Sequence, residues 1–128
     1  MEIAAGWCAM LFFLLAGHAL MDYALQSDAM ATCKCRHANL PLQKSVPWWY
    51  WLTAHAVLHG AAVGVVVAWF GYGMPLAVAF AVAETVVHWA ADCAKCESLF
   101  NIHVDQLIHV LSKVAWWALL AGGVVTGF

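Results

Sequence analysis

The sequence predicts an all-α integral membrane protein: one domain over residues 1–128, built as an antiparallel four-helix transmembrane bundle. Three observations predict it. First, 66% of the 128 residues are hydrophobic and 9% are charged, whereas soluble domains carry about 25% charged residues, so a polar shell cannot be built. Second, the apolar residues fall into four continuous stretches, at about 3–26, 48–70, 74–95 and 102–127. Each reaches the roughly 20 residues that a helix needs to cross about 30 Å of hydrocarbon. Third, the few polar residues inside these stretches recur every fourth position. The same composition excludes disorder and, with five Lys plus Arg and a net charge of −2, a basic nucleic-acid binder.

The first stretch opens Met1-Glu2-Ile3 with no basic residue, and its apolar run is too long for a signal-peptide h-region, so it reads as a span. Continuous rather than alternating apolarity makes all four helices rather than barrel strands. The first connection, 27–47, is polar and carries Asp28, Lys34, Arg36 and Lys44. Trp48, Trp49, Tyr50 and Trp51 follow it and read as an interfacial aromatic belt. Gly71-Tyr72-Gly73 makes a tight uncharged turn, with Pro75 in a first helical turn. The third connection, 96–101, is short, and Asn101 is an expected N-cap. Lys34, Arg36 and Lys44 lie in the first connection and the second has no basic residue. The positive-inside rule then puts the first and third connections in the cytoplasm and both termini outside, in what reads as a bacterial inner membrane.

The polar residues inside the spans carry the chemistry. His18-x3-Asp22-x3-Gln26, His55-x3-His59, Glu84-x3-His88-x3-Asp92 and Asp105-x3-His109-x3-Lys113 all step by four. Each helix therefore shows one polar stripe. Buried charge in a bilayer costs roughly 2.5–3.5 kcal/mol per unpaired group or more, so such stripes face one another. Depth agrees: His18, His55, His88 and His109 each lie seven or eight residues from the connection-bearing end of their stretch, roughly 10–12 Å below one membrane face. Imidazole and carboxylate are ligands of zinc, iron and manganese, and helical bundles build metal sites from inward side chains of facing helices. The candidate ligands are His18, Asp22, His55, His59, His88, Asp92, Asp105 and His109, enough for one or two ions, zinc foremost, with iron or manganese as alternatives. Glu84 and Asp105 are the candidate catalytic carboxylates, Glu84, one turn from His88, as a general base or else as a hydrogen-bond acceptor behind the ligands. Gln26 and Gln106 are expected to hydrogen-bond the ligands. Lys34 and Lys95 flank the site at the membrane surface, as snorkelling lysines or as contacts to an anionic head group. Lys113 should pair with a buried Asp or Glu. The competing explanations for the stripes are helix–helix hydrogen bonding and a proton or ion path.

At these residues the chain resembles the domain of unknown function 3307 family of small bacterial and phage membrane proteins. The carrying motifs are His18-x3-Asp22-x3-Gln26 followed by Lys34, His55-x3-His59, His88-x3-Asp92-x2-Lys95 and Asp105-Gln106-x2-His109. Together they cover roughly residues 10–113. The resemblance implies a membrane protein and no particular activity. In style the pattern is also similar to small membrane-bound metal-dependent hydrolases, an analogy only.

Cys33-Lys-Cys35 and Cys93-Ala-Lys-Cys96 fall on one predicted face. Kept reduced in a cytoplasm, the four thiols could close a second, tetrahedral zinc site, with His37 as a substitute ligand. Cys8, deep in the first stretch, is expected to be a packing residue. The leading functional expectation is a metal-dependent membrane hydrolase acting on a lipid-like or phosphorylated substrate. The alternatives are a metal-stabilised scaffold or assembly subunit, as a homo-oligomer or in a larger membrane complex, and proton or metal-ion transport. Transport fits less well, because the outer half of the bundle is nearly all Ala, Val, Leu and Gly.

Overall fold

A computed structural model of the chain describes residues 2–123, with side chains from residue 6 onward; the end of the fourth predicted span, 124–127, lies outside the described residues. Four long helices dominate: α1 (Glu2–Ala19), α4 (Trp48–Trp69), α5 (Gly73–Cys96) and α6 (Ile102–Ala121). Short helices α2 (Asp28–Cys33) and α3 (Leu42–Ser45), with a 3-10 turn at Arg36–Ala38 between them, shape the first connection. No strand occurs among the described residues. The long helices neighbour one another cyclically: α1 packs on α4 and α6, and α5 packs on α4 and α6.

Local chemistry sets the ends. Ser27 caps α2 by accepting a hydrogen bond from the Met30 amide (3.2 Å), and Asn101 caps α6 through Oδ1, which accepts from the amides of His103 and Val104 at 3.0 and 3.1 Å. The α4–α5 turn uses Gly71 and Gly73 at φ 86° and 77°, a region open to glycine and strained for other residues. α1 differs from the expected straight helix to residue 26. At Leu20 it widens into a π turn ending at Ala24, and the Leu25 amide donates to the Leu20 carbonyl at 2.9 Å.

The α4–α5 pairing is close because small residues meet. A Cβ built on Gly60 would lie 2.4 Å from the Ala81 carbonyl oxygen, and one on Gly64 would lie 3.0 Å from the Ala81 Cβ. Helices that pack through such small-residue stripes approach backbone to backbone.

Burial is inverted relative to a soluble protein. Phe12, Val65, Trp69, Val82 and Val86 are exposed on the outside, while His18, His55, His59, Glu84, His88, Asp92, Asp105, His109 and Lys113 are buried. Three helical segments, Gly6–Ala24, Trp48–Trp69 and Gly73–Cys96, are long and apolar enough to cross a membrane. α6 is not among them, since Asp105, His109 and Lys113 lower its hydropathy. Cys8 is exposed on α1 rather than packed inside. Half of the interior is apolar: Met10, Leu14, Val63, Val67, Ala77, Phe80 and Leu120 form one buried cluster. The other half, toward the first and third connections, is polar.

Candidate metal centre

Asp22 comes from the π turn, and His18 from the last turn of α1. π turns are uncommon and often mark functional sites. Here the wide turn presents the Asp22 carboxylate to α4. His55 and His59 are one turn apart on α4, His88 and Asp92 one turn apart on α5, and Asp105 and His109 one turn apart on α6. The four stripes meet in one layer. His59 and His88 stack with ring centroids 3.6 Å apart, and His88 stacks on His109 at 3.9 Å. The close Gly60–Ala81 approach, one residue from His59, is what lets the first pair touch.

Two groups of donors emerge. One ligand atom from each of Asp22, His55, His59 and His88 lies within 4.8 Å of the others, and the same holds for His88, Asp92 and His109. Asp22 Oδ1 stands 3.1 Å from Nε2 of both His55 and His59, and His55 Nε2 stands 3.2 Å from His88 Nε2. With metal–nitrogen bonds of about 2.0–2.1 Å, tetrahedral ligand atoms lie about 3.3 Å apart. Three edges of the first group already have that length.

Charge separates the groups. Lys34 donates to Asp92 Oδ2 at 2.5 Å, and Lys95 bridges Asp92 and Asp105 at 3.3 Å to each. Among the described residues no lysine forms an ion-pair contact with Asp22; its neighbours are His18, His55, His59 and Gln106. The first group thus joins three imidazoles to a carboxylate with no lysine in direct contact. The second has two lysines on its carboxylate.

The buried polar atoms test whether a cation fits. Nδ1 of His18, His59 and His88, Oδ1 of Asp105 and both ring nitrogens of His109 have no hydrogen-bond partner. His109 Nε2 is near Asp105 Oδ1 (3.3 Å) but misaligned with it, and Asp92 Oδ1 at 3.7 Å is too far for a hydrogen bond. An unsatisfied buried group costs about 1–3 kcal/mol; of these atoms the His109 ring nitrogens belong to the second group, and a cation bound there would relieve one of them. The residues present therefore suit a divalent metal, whose identity the donors leave open.

The remaining predicted residues fall as follows. His18 lies outside both groups and contacts Gln106 Oε1 through Nε2 at 3.2 Å. Gln106 also donates to Asp22 Oδ2 at 2.9 Å. The Gln26 amide oxygen accepts from Lys34 (2.9 Å) and lies 3.2 Å from His55 Nε2, and its NH2 donates to the Asp22 carbonyl (3.2 Å). Asp105 is outside both groups, held by Lys95 and near His109. Lys34 is not a surface lysine: only 3% of it is exposed, because the first connection folds it inward onto Asp92. Lys95 likewise turns inward. Glu84 does not stand free as a base. Its carboxylate accepts from Lys113 (2.5 Å), Trp116 Nε1 (2.6 Å) and Ser112 (3.3 Å), with His88 Nδ1 3.5 Å away. It is placed to orient His88 from behind, as carboxylates behind metal-bound histidines do.

The four-thiol zinc site does not form. Cys35 and Cys96 are joined by a disulfide, which leaves neither as a thiolate ligand, while Cys33 and Cys93 are free. His37 sits on Glu97 at 3.2 Å, not on the cysteines. The bond does join the first connection to the end of α5, so both lie at one end of the bundle.

Sequence reasoning passed over Tyr23, whose hydroxyl donates to Gln106 Oε1 at 3.2 Å, together with Ser112 and Trp116. Trp116 could have been found: it follows Lys113 by three on the His109 face. Tyr23 has no spacing signal, since only the π turn brings it round.

A family model described as "Protein of unknown function (DUF3307)" matches residues 10–124, and the chain belongs to that family. No curated protein and no solved structure matches the chain.

Proposed function

We propose that this DUF3307 protein is a bilayer-spanning bundle of four helices that binds divalent metal in its interior. The carrying observation is the Asp22–His55–His59–His88 group, with three donor–donor edges of 3.1–3.2 Å and a carboxylate with no lysine in direct contact. Four protein donors from three helices would close a tetrahedral shell, as structural sites do. The reading is therefore first a metal-stabilised membrane scaffold, with zinc the leading ion because the donors are nitrogen and carboxylate oxygen.

A second reading, a metal-dependent hydrolase, is favoured by the His88–Asp92–His109 group. It offers three protein donors rather than four. Lys34 and Lys95 stand beside it, able to hold the negative charge of a phosphoryl or carboxyl oxygen. A metal bound there would supply Lewis acidity and lower the pKa of its water toward about 7. Transport is disfavoured by the wholly apolar buried cluster between Glu84 and the far end of the bundle.

Elemental analysis of detergent-purified protein tests the reading. Stoichiometric metal in the wild type, lost in His55→Ala and reduced in His109→Ala, is the expected result. Metal retained in full by both variants would overturn it. The hydrolase reading also requires turnover of a phosphorylated or ester amphiphile that is abolished by His109→Ala.

A further inference from the structure

A cavity of about 370 Å³ lies between the first connection and the start of α4, lined by Arg36, Asn39, Gln43, Lys44, Trp48 and Trp49 among others. It shares no residue with the metal centre. From it we infer a binding site for a phosphate group, supplied by the headgroup of an anionic glycerophospholipid.

Its walls are fixed before any ligand arrives. Gln43 Nε2 donates to the carbonyls of Cys33 and Cys35 at 2.8 Å each, and Gln43 Oε1 accepts from the Leu40 amide at 2.9 Å. The Cys35–Cys96 bond ties the same segment to α5. Loop polar groups that could have filled the cavity are thereby spent on the loop itself.

Its charge is positive and partly unanswered. Among the described residues the Lys44 ammonium makes no hydrogen bond or ion pair, its amide donating to the Pro41 carbonyl at 3.1 Å. Arg36 uses Nε on His37 (3.0 Å) and Nη2 on Glu97 (2.7 Å), which leaves Nη1 free. Glu97 is the acidic group that touches Arg36. Desolvation opposes its charge, but hydrogen bonds from His37 and Arg36 prevail and hold its carboxyl below its ordinary range. An arriving phosphate must therefore share Arg36 with a standing carboxylate.

Its surroundings select an amphiphile over a free ion. Trp49 stacks on Tyr50 with centroids 4.1 Å apart, at the end of α4 where the aromatic belt meets the headgroup layer. Leu42, Val46 and Trp49 expose apolar surface along the same segment. Cations beside exposed aromatic and aliphatic side chains match a phosphodiester with acyl chains attached, and basic pockets at this level recognise such headgroups.

This inference rests on the bilayer placement proposed above but not on the metal. The test is native mass spectrometry of the full chain released from nanodiscs, with phosphatidylglycerol, phosphatidylcholine and inorganic phosphate as separate probes. Wild type should retain phosphatidylglycerol over phosphatidylcholine. Lys44→Gln should cut that retention about fivefold, the effect of one interfacial cation. Glu97→Gln should raise it by freeing Arg36, a gain that local unfolding would not produce. Equal retention in wild type and Lys44→Gln overturns the site, and binding of inorganic phosphate without phosphatidylglycerol overturns the lipid assignment. Failure of the bilayer placement shows separately, as protein recovered in the soluble fraction without detergent.

Discussion

Gly60→Ala tests how the metal layer is assembled. The added Cβ would lie 2.0 Å from Thr85 Oγ1 and 2.4 Å from the Ala81 carbonyl oxygen. Thr85 can rotate away, at the loss of its 2.8 Å hydrogen bond to Ala81, worth about 0.5–1.5 kcal/mol. The carbonyl cannot rotate without breaking α5. Restoring an ordinary contact of roughly 3.4 Å needs about 1 Å of separation between α4 and α5, an overpacking cost of about 1–3 kcal/mol. His59 is the next residue and stacks on His88 at 3.6 Å, so the same separation opens the donor group by several times the roughly 0.2 Å that metal sites tolerate. The variant should unfold at lower temperature in detergent and lose bound metal by elemental analysis. Gly17→Ala is the matched control, since its Cβ meets only Ala62 Cβ at 3.5 Å and helix propensity improves. Gly64→Ala, at 3.0 Å from Ala81 Cβ, should fall between them. If Gly60→Ala matched Gly17→Ala in both stability and metal content, close helix approach would not be what builds the site.

Three further outcomes follow from the same geometry. Lys113→Met alone strands the Glu84 carboxylate and should destabilise the bundle by about 3–5 kcal/mol, whereas Lys113→Met with Glu84→Gln should recover most of that loss; equal thermal stability of the single and double variants would deny that the pair is coupled. Cys35→Ser opens a link across a sequence separation of 61 and should lower unfolding free energy in detergent by up to about 4 kcal/mol, while a denaturation midpoint unchanged by reducing agent would refute this. The Cys35–Cys96 disulfide belongs to an oxidising compartment, so the connection-bearing end is expected outside the cytoplasm, against the placement that positive-inside charge predicts. Differential alkylation in growing cells reads this directly: Cys35 and Cys96 protected until reduction is the expected result, and both labelled as free thiols would refute it.

The helices and their polar stripes were legible in the sequence because both depend on local rules. A fourfold spacing fixes a face of a helix whatever the helix packs against, and the boundaries of α4 and α5 follow from Pro47, Gly71 and Gly73. Asn101 as a cap and Lys113 as half of an ion pair were readable for the same reason. For Glu84 the sequence left base and hydrogen-bond acceptor both open, since the groups that occupy it, Lys113, Trp116 and Ser112, come from another helix. Lys34 was misread as a surface group because nothing local says that a polar connection folds back into the bundle. The four cysteines were grouped by spacing, but Cys35 and Cys96 meet only through the path of α2 and the 3-10 turn.

What the amino-acid order determined alone is which atoms are available: five imidazoles and three aspartates, on four helices. Which of them can share an ion was decided by the tertiary structure. Ligand geometry is a matter of tenths of an ångström, and here it is set by the π turn that swings Asp22 inward, by Gly60 that lets His59 reach His88, and by Lys34 and Lys95, which hold Asp92 and Asp105 and make no contact with Asp22.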